Sequence, residues 1–385
     1  MSKRILYVFR GEGASGAEIV IERLIIRNTD VIPYMCMAPC LFAENFAKNN
    51  PNCKLYLIDR LKKLNRSSTS PLNFYVKALT NYFVISYMVL RYAKANQINA
   101  IHANTVVPAA YLLPALIYSK LFKTKIYWVW SDHDLKYFSK IDHLFSGWCV
   151  KLYNKTLVVS EAVKSKYNSL TNVDVLYNGL DINYFKPNLK ERQLFRENHQ
   201  IPENIIVLGL PAVVAPRKGQ LELAKVFKSI LLTLPNALLL YAGGVAEDSV
   251  DYSKEFFEEI MDVPQIRYIG KESNMLSYYN GCDIVINNST MLGSEPLGTT
   301  IYEAMACEKI VLASETGGSP EIIDDHVNGF LFKPDNTESL KTALFKVLKD
   351  FGTYDKLRSK ARKKVIEKFN VDTMIENYNG VLKSL

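Results

Sequence analysis

The chain reads as an α/β protein built from two doubly wound parallel sheets in tandem, and three features of the sequence predict it. Short, wholly apolar runs alternate with stretches of helical period. A strand that is apolar throughout is buried on both faces, as strands are in a parallel sheet covered by helices. The series of runs starts again after a polar segment at residues 183–204 that holds Pro187 and Pro202. Finally, 385 residues exceed one ordinary core, whereas two domains of roughly 150–200 residues account for them all.

Taken in order, KRILYVF, VIPYMCM, AIHANT, KIYWVWS and TLVVS are the expected strands of the first half. IIVLGLPAVV, ALLLYAG, IRYIG, DIVINNS and KIVLASE are those of the second. Between them lie helical patterns such as AEIVIERLII and QLELAKVFKSILLTL. The boundary is placed near Lys186, giving domains 1–186 and 187–385, with the last helix packing back on the first domain. Open α/β sheets bind ligands outside the carboxyl ends of their strands. Two such domains facing each other across a cleft would therefore carry their functional residues just after strands.

The composition, 48% hydrophobic and 22% charged, is that of a globular chain rather than a disordered one. MSKRILYVF enters a strand directly, so an unprocessed, cytoplasmic protein is expected. Cys36, Cys40, Cys53, Cys149, Cys282 and Cys307 form no CxxC pair and read as structural thiols ahead of metal ligands or disulfides. Net charge is split: residues 1–187 hold 24 Lys and Arg against 12 Asp and Glu, for +12, and residues 188–385 hold 23 against 27, for −4. The basic half lacks nucleic-acid-binding motifs, which leaves an anionic membrane surface or a phosphorylated acceptor as its partner. The cluster RLKKLNR, Arg60 to Arg66, suits either, or is a solvated loop. The apolar segments 81–93 and 107–122 are too short and too interrupted to span a bilayer, and read as buried helices with a peripheral membrane role open.

Chemistry-bearing motifs follow strands in both halves. Near the start, GEGASG places Gly11, Gly13 and Gly16 between a strand and a helix, as in loops that approach a phosphate. A nicotinamide site would need an acid at the end of the second strand, but Ala38 and Pro39 stand there, and Glu12 would repel a pyrophosphate. In the second half, residues 287–332 carry Glu295 and Glu303 on either side of PLGTT. Glycine and threonine before a helix offer free backbone N–H groups that suit a diphosphate. Glu303 could accept from ribose hydroxyls and Glu295 could reach the sugar, although acids near a helix start are also common caps. Arg217 and Lys218 follow a strand and could neutralise a leaving diphosphate without a metal, or be an ordinary solvated pair.

These motifs together resemble the retaining glycosyltransferases of the GT-B type, in the large group 4 families that use nucleotide-diphosphate sugars. The resemblance covers nearly the whole chain and rests on GEGASGAE, VVSE at 158–161, NGLD at 178–181, Arg217-Lys218-Gly219, YAGG at 241–244 and the block EPLGTTIYEAMA…GGSPEII…NGFLF. It implies that Arg217 and Lys218 grip the donor diphosphate, with the backbone of Gly298, Thr299 and Thr300. Glu303 would bind the ribose and Glu295 the donor sugar. Gly16 would belong to a glycine loop that crosses the cleft, and His133 would lie near the reaction centre.

Two histidines and a pair of acids remain open at this point. His133 could simply satisfy a strand end, because its setting, SDHD, departs from the simpler turn of the family. His102 lies in HANT, where relatives often place a second histidine two positions on and this chain has Asn104. Asp132 and Asp134 also match the metal-binding signature of the other nucleotide-sugar transferase fold. The restart of the strand series and the cationic pair argue against it, so no metal and no cofactor are expected.

The expected function is metal-independent transfer of a hexose, with retention, from a nucleotide diphosphate sugar to the hydroxyl of a saccharide or lipid-linked saccharide acceptor. Surface polysaccharide or glycolipid assembly is the expected setting, with the protein cytoplasmic or peripheral at the inner membrane face and without nucleic acid as a partner. The alternatives are a sugar-nucleotide epimerase or phosphorylase on the same architecture, or a non-catalytic sugar-nucleotide-binding assembly partner.

Overall fold

The computed structural model describes residues 2–11, 13, 16–62, 71–137, 139–167, 170–231, 233, 236–293 and 295–383. The chain forms two compact units, Met1–Gly179 with Val371–Leu385, and Leu180–Asn370. The first holds strands β1 (Lys3–Val8), β2 (Val31–Met37), β3 (Lys54–Leu57), β4 (Ala100–Asn104), β5 (Tyr127–Asp132), β6 (Lys155–Val158) and β7 (Val173–Val175). All pair in parallel, in the order β3-β2-β1-β4-β5-β6-β7. The second holds β8 (Ile206–Pro211), β9 (Ala237–Ala242), β10 (Ile266–Tyr268), β11 (Ile284–Asn287), β12 (Ile310–Ser314) and β13 (Phe330–Phe332). These too are parallel, in the order β10-β9-β8-β11-β12-β13. Each unit is thus an open doubly wound sheet with its own core, as the apolar runs predict.

The ten strands expected from sequence are all present, and their central members are buried along their length because helices cover both faces. Three strands were not expected: β3, β7 and β13. Each lies at an edge of its sheet and is only three or four residues long. An edge strand is covered less and needs no long apolar run, so its pattern is faint.

The polar segment 183–204 is not a bare connection. It contains the helix Leu189–Asn198, whose first N–H groups are capped by Asn188 Oδ1 accepting from Lys190 and Glu191. Phe195 and Arg196 on its inner face are buried. Arg196 Nη2 lies 2.6 Å from Asp283 Oδ2, which also accepts from the Val207 amide. This buried ion pair fixes the helix to the amino ends of β8 and β11, so 183–204 belongs to the second unit and the division falls at Gly179, ahead of Lys186. A charged residue at a core position hid the helical stripe in the sequence.

The C-terminal helix Val371–Lys383 packs within the first unit, against the helix Gly16–Arg27. Its anchor is Tyr378, fully buried, whose hydroxyl pairs with His102 Nδ1 at 2.9 Å. His102 Nε2 meets Ser131 Oγ at 2.7 Å, and its ring packs between Tyr7 and Tyr378. All six cysteines are free thiols, five of them buried.

Segments 81–93 and 107–122 are helical but not wholly buried, which corrects the expectation. The first lies within the helix Pro71–Ala95, and the second is split into Val106–Tyr111 and Leu113–Leu121. Phe83, Tyr87, Leu121 and Phe122 on these segments are exposed. Among the described residues, no helix is long and apolar enough to cross a membrane. Lys63 and Arg66 of the basic cluster lie outside the described residues.

Burial holds His102 down at about 3 from an ordinary 6.5. The unfolded chain therefore takes up a proton below pH 6.5 that the fold refuses until about 3, and stability is lost as pH falls through that window. Thermal melts of the wild type should show this loss, with His102→Gln flattening the slope by up to about 1.4 kcal/mol per pH unit.

Candidate active site

In the second unit the strand order reverses between β8 and β11. The connection after β8 leads toward β9 and the one after β11 toward β12, so the two loops part and leave a crevice at the carboxyl edge. All the second-half candidates lie around it. Arg217 and Lys218 occupy the single turn Pro216–Lys218 after β8, followed by the helix Gln220–Leu231. Glu295 lies in the loop after β11, and Gly298 caps the helix Thr299–Ala306.

The two loops are tied together through backbone. Asn288 Nδ2 donates to Gly219 O at 2.7 Å, and the Thr290 amide donates to Arg217 O at 3.1 Å. Lys218 Nζ donates to Glu295 Oε1, and Ser289 Oγ donates to the same oxygen at 3.1 Å. Lys218 and Glu295 are mostly buried, with side chains 17% and 21% exposed. Burial first, then the neighbouring charge of Arg217, pulls the Lys218 ammonium down to about 8. The carboxylate of Glu295 opposes that shift and keeps the cation in place.

The helix Thr299–Ala306 starts without a side-chain cap; the Ile301 amide turns back to Gly298 O at 3.0 Å, and the Thr299 and Thr300 amides have no intrahelical partner. Thr300 Oγ1 accepts from Asn287 Nδ2 at 3.2 Å, which pins the first turn to the end of β11. One turn on, Glu303 accepts from the hydroxyl of buried Tyr279 at 2.9 Å, so its carboxylate is held in one direction. Arg217, Lys218, Glu295, Gly298, Thr299, Thr300 and Glu303 therefore belong to one unit and one sheet edge. The arrangement offers two cations and free amides to an anion, and two oriented carboxylates to hydroxyls.

His133 and Gly16 belong to the first unit, at the corresponding edge. His133 follows β5, and its Nε2–H donates to Asn104 Oδ1 at 2.8 Å at the end of β4. Burial, against the opposing charges of Asp132 and Glu18, holds His133 at about 4, so its imidazole is neutral at pH 7. Gly16 begins the helix after β1, and a Cβ there would meet nothing within 4 Å. Within the glycine motif it is Gly11 that needs to be glycine: its φ is +45°, and a Cβ would lie 2.6 Å from Met37 Cε. Glu12 lies outside the described residues.

The Asp132 and Asp134 signature resolves differently from a metal site. Asp132 is buried; Oδ2 takes Lys166 Nζ and the Tyr167 hydroxyl, each at 2.5 Å, and Oδ1 takes the Asp134 amide at 3.1 Å. Both oxygens are spent on the fold. Among the described residues no group of three or more His, Cys, Asp or Glu could hold a metal ion. His102, buried between Tyr378 and Ser131, is likewise a core residue.

The sequence reading missed Tyr279 and Ser289, which orient the two carboxylates, and Asn287 and Asn288, which tie the loop after β11 to Thr300 and Gly219. The run NNS directly after an apolar strand was the available signal, since polar residues there sit at the ligand edge. It also missed the reason for GGSPE. Gly317 has φ +51°, and a Cβ on it would lie 1.9 Å from Glu295 O, while the Gly318 amide donates to that oxygen at 3.0 Å. The double glycine thus clamps the backbone that carries Glu295. Gly317→Ala should displace Glu295 and cost about 1–3 kcal/mol of stability, read from denaturant melts, together with lost donor binding.

Residues 191–364 match the family described as glycosyl transferases group 1. Among curated proteins, the chain is 28% identical over 238 residues to an uncharacterised glycosyltransferase of Methanocaldococcus jannaschii, covering 60% of each. It is 25% identical to the lipopolysaccharide 1,2-N-acetylglucosaminetransferase of Salmonella typhimurium, covering 60% of this chain and 62% of that one. The chain spans about three fifths of the length of the curated relatives it matches. Over 99% of its length it superposes on the whole of Anabaena HepE, solved in complex with UDP, with a TM-score of 0.82 at 21% identity. A glycosyltransferase from Rickettsia africae superposes over 100% of this chain and 98% of its own, with a TM-score of 0.81 at 20% identity. Residues 191–364 thus resemble the group 1 glycosyltransferases, and the chain has the GT-B fold.

Proposed function

We propose that this chain transfers a hexose from a nucleoside diphosphate sugar to an acceptor hydroxyl, with retention at the anomeric carbon and without a divalent metal. One observation carries the reading: at the reversal between β8 and β11, two cations, unpaired helix amides and two oriented carboxylates meet.

The chemistry follows from charge. As the bond from the anomeric carbon to the diphosphate breaks, its electron pair leaves with the phosphate. Arg217, Lys218 and the amides at 298–300 stabilise that growing charge more than the ground state. Glu303 accepts from the ribose hydroxyls and Glu295 from hydroxyls of the sugar. Glu295 is held by Lys218 and Ser289 and is a positioning group here rather than a nucleophile. The acceptor oxygen bonds to the anomeric carbon on the face the phosphate leaves, and the departing phosphate takes the acceptor proton. His133, neutral at pH 7, contributes a hydrogen bond at the first unit's edge rather than a charge.

Uridine donors are the first to test, since solved structures of the same fold hold UDP and UDP-glucose. A saccharide or lipid-linked acceptor in polysaccharide or glycolipid assembly is supported by two relatives. One is named for lipopolysaccharide, the other for a phosphatidylinositol monomannoside.

Nucleotide release from a panel of nucleotide sugars tests the reading. Wild type should release nucleoside diphosphate, and Lys218→Ala and Glu295→Gln should each lower kcat/KM by roughly a hundred- to a thousandfold. Equal rates in all three would refute the site, and loss of activity on chelation with recovery on manganese would refute metal independence. With Lys218 at about 8, kcat/KM should fall as pH rises through that value, because the ammonium loses its charge. Lys218→Arg, which stays charged, should remove this alkaline limb.

A further inference from the structure

A groove in the first unit lies away from the candidate site. It runs between the helices Pro71–Ala95 and Leu113–Leu121, has a volume of about 820 Å³, and is floored by Ile98 and Ile126. Those two residues shortly precede β4 and β5, so the groove opens at the amino edge of the sheet, opposite the edge that carries His133 and Gly16. Its walls are apolar and aromatic, from Phe83, Tyr87, Leu90 and Tyr118, and its rim carries Arg91, Lys94 and Lys125.

The surface around it continues both features. Val76, Leu79, Phe83 and Tyr87 stand three, four and four residues apart on one helix face, and each is more than half exposed. At the end of the facing helix, Leu121 and Phe122 are 73% and 67% exposed, with Phe122 against Tyr118. Lys120, Lys123 and Lys125 surround them, all exposed. From Arg60 to Ser131 the sequence holds ten Lys and Arg and no Asp or Glu. A contiguous apolar stripe edged by one sign of charge marks a docking surface rather than ordinary solvated surface.

We propose that this groove and its apolar rim bind the anionic phospholipid leaflet of a membrane. Acyl chain and glycerol regions lie against Phe83, Tyr87 and Tyr118, Leu121 and Phe122 insert, and Arg91, Lys94 and Lys125 pair with headgroup phosphates. Charge selects this occupant. A second copy meeting the same face would bring an equal acid-free basic surface against it, whereas an anionic leaflet is complementary. The proposal is independent of the transfer reaction, because it concerns the opposite sheet edge and is read by binding.

Flotation of the full chain with vesicles tests it, using phosphatidylcholine alone and phosphatidylcholine with about one third phosphatidylglycerol. Wild type should float with the anionic vesicles and stay behind with the neutral ones. The triple variant Arg91→Gln, Lys94→Gln and Lys125→Gln should weaken anionic binding by on the order of a hundredfold. Leu121→Asp with Phe122→Asp should abolish flotation. The residues changed are exposed, and an unchanged melting temperature in the triple Gln variant shows that the fold is kept. Failure of the wild type to float, equal flotation with neutral vesicles, or variants that float like wild type would each overturn the proposal. So would dissociation of a wild-type oligomer by the Asp pair, which would assign the face to a second copy. Failure of nucleotide release with flotation intact would count against the transfer reading alone.

Discussion

The constraint behind the second unit is the direction of its strands. Parallel strands need crossover connections, and every strand then delivers its following loop to the same edge. Where the order turns at β8 and β11, two such loops part, and nothing of the sheet fills the space between them. Both loops end at the first turn of a helix, so amide groups without intrahelical partners collect there. An anion is the natural complement of that edge before any side chain is considered.

The side chains then sharpen what the backbone begins. Arg217 and Lys218 are adjacent cations on a short turn; Arg217 is exposed, whereas keeping the mostly buried Lys218 charged requires an opposite charge nearby. Glu295 supplies it, held in turn by Ser289 and by the clamp of Gly317 and Gly318 on its backbone. The loops after β8, β11 and β12 thus form one hydrogen-bonded assembly. Glu303 is fixed separately, by Tyr279 from the helix Met275–Gly281. Two carboxylates eight residues apart are therefore oriented by different elements.

The first unit uses histidine in two contrasting ways at neighbouring strands. His102, within β4, is consumed by Ser131 and Tyr378 and ties the returning C-terminal helix to the sheet. His133, just beyond β5, pairs with Asn104 and stands at the carboxyl edge. Burial keeps both neutral, so position rather than charge separates core residue from site residue. At the opposite edge, the groove between the helices Pro71–Ala95 and Leu113–Leu121 is lined by apolar and basic residues, which gives the unit's two ends different chemistry.

The sequence by itself determined the α/β class, ten of the thirteen strands, nine of them interior to their sheets, and the chemical character of the second unit's edge. These are legible because buried parallel strands must be apolar along their length, and because phosphate-approaching loops draw on few residue types. Arg217, Lys218, Glu295 and Glu303 stood out through spacing and through resemblance to a known family. What only the tertiary structure decided is pairing between distant segments. Asp132 and Asp134 look like metal ligands until Lys166 and Tyr167 are seen to occupy Asp132, and those partners lie more than thirty residues away. The helix Leu189–Asn198 is hidden in a polar segment because its core contact is an arginine, satisfied by Asp283 from another element. The same holds for GGSPE and for the groove beside Tyr87. Local composition fixes what a segment can be, whereas the partner that satisfies a charge or covers an apolar face is chosen only when the chain closes.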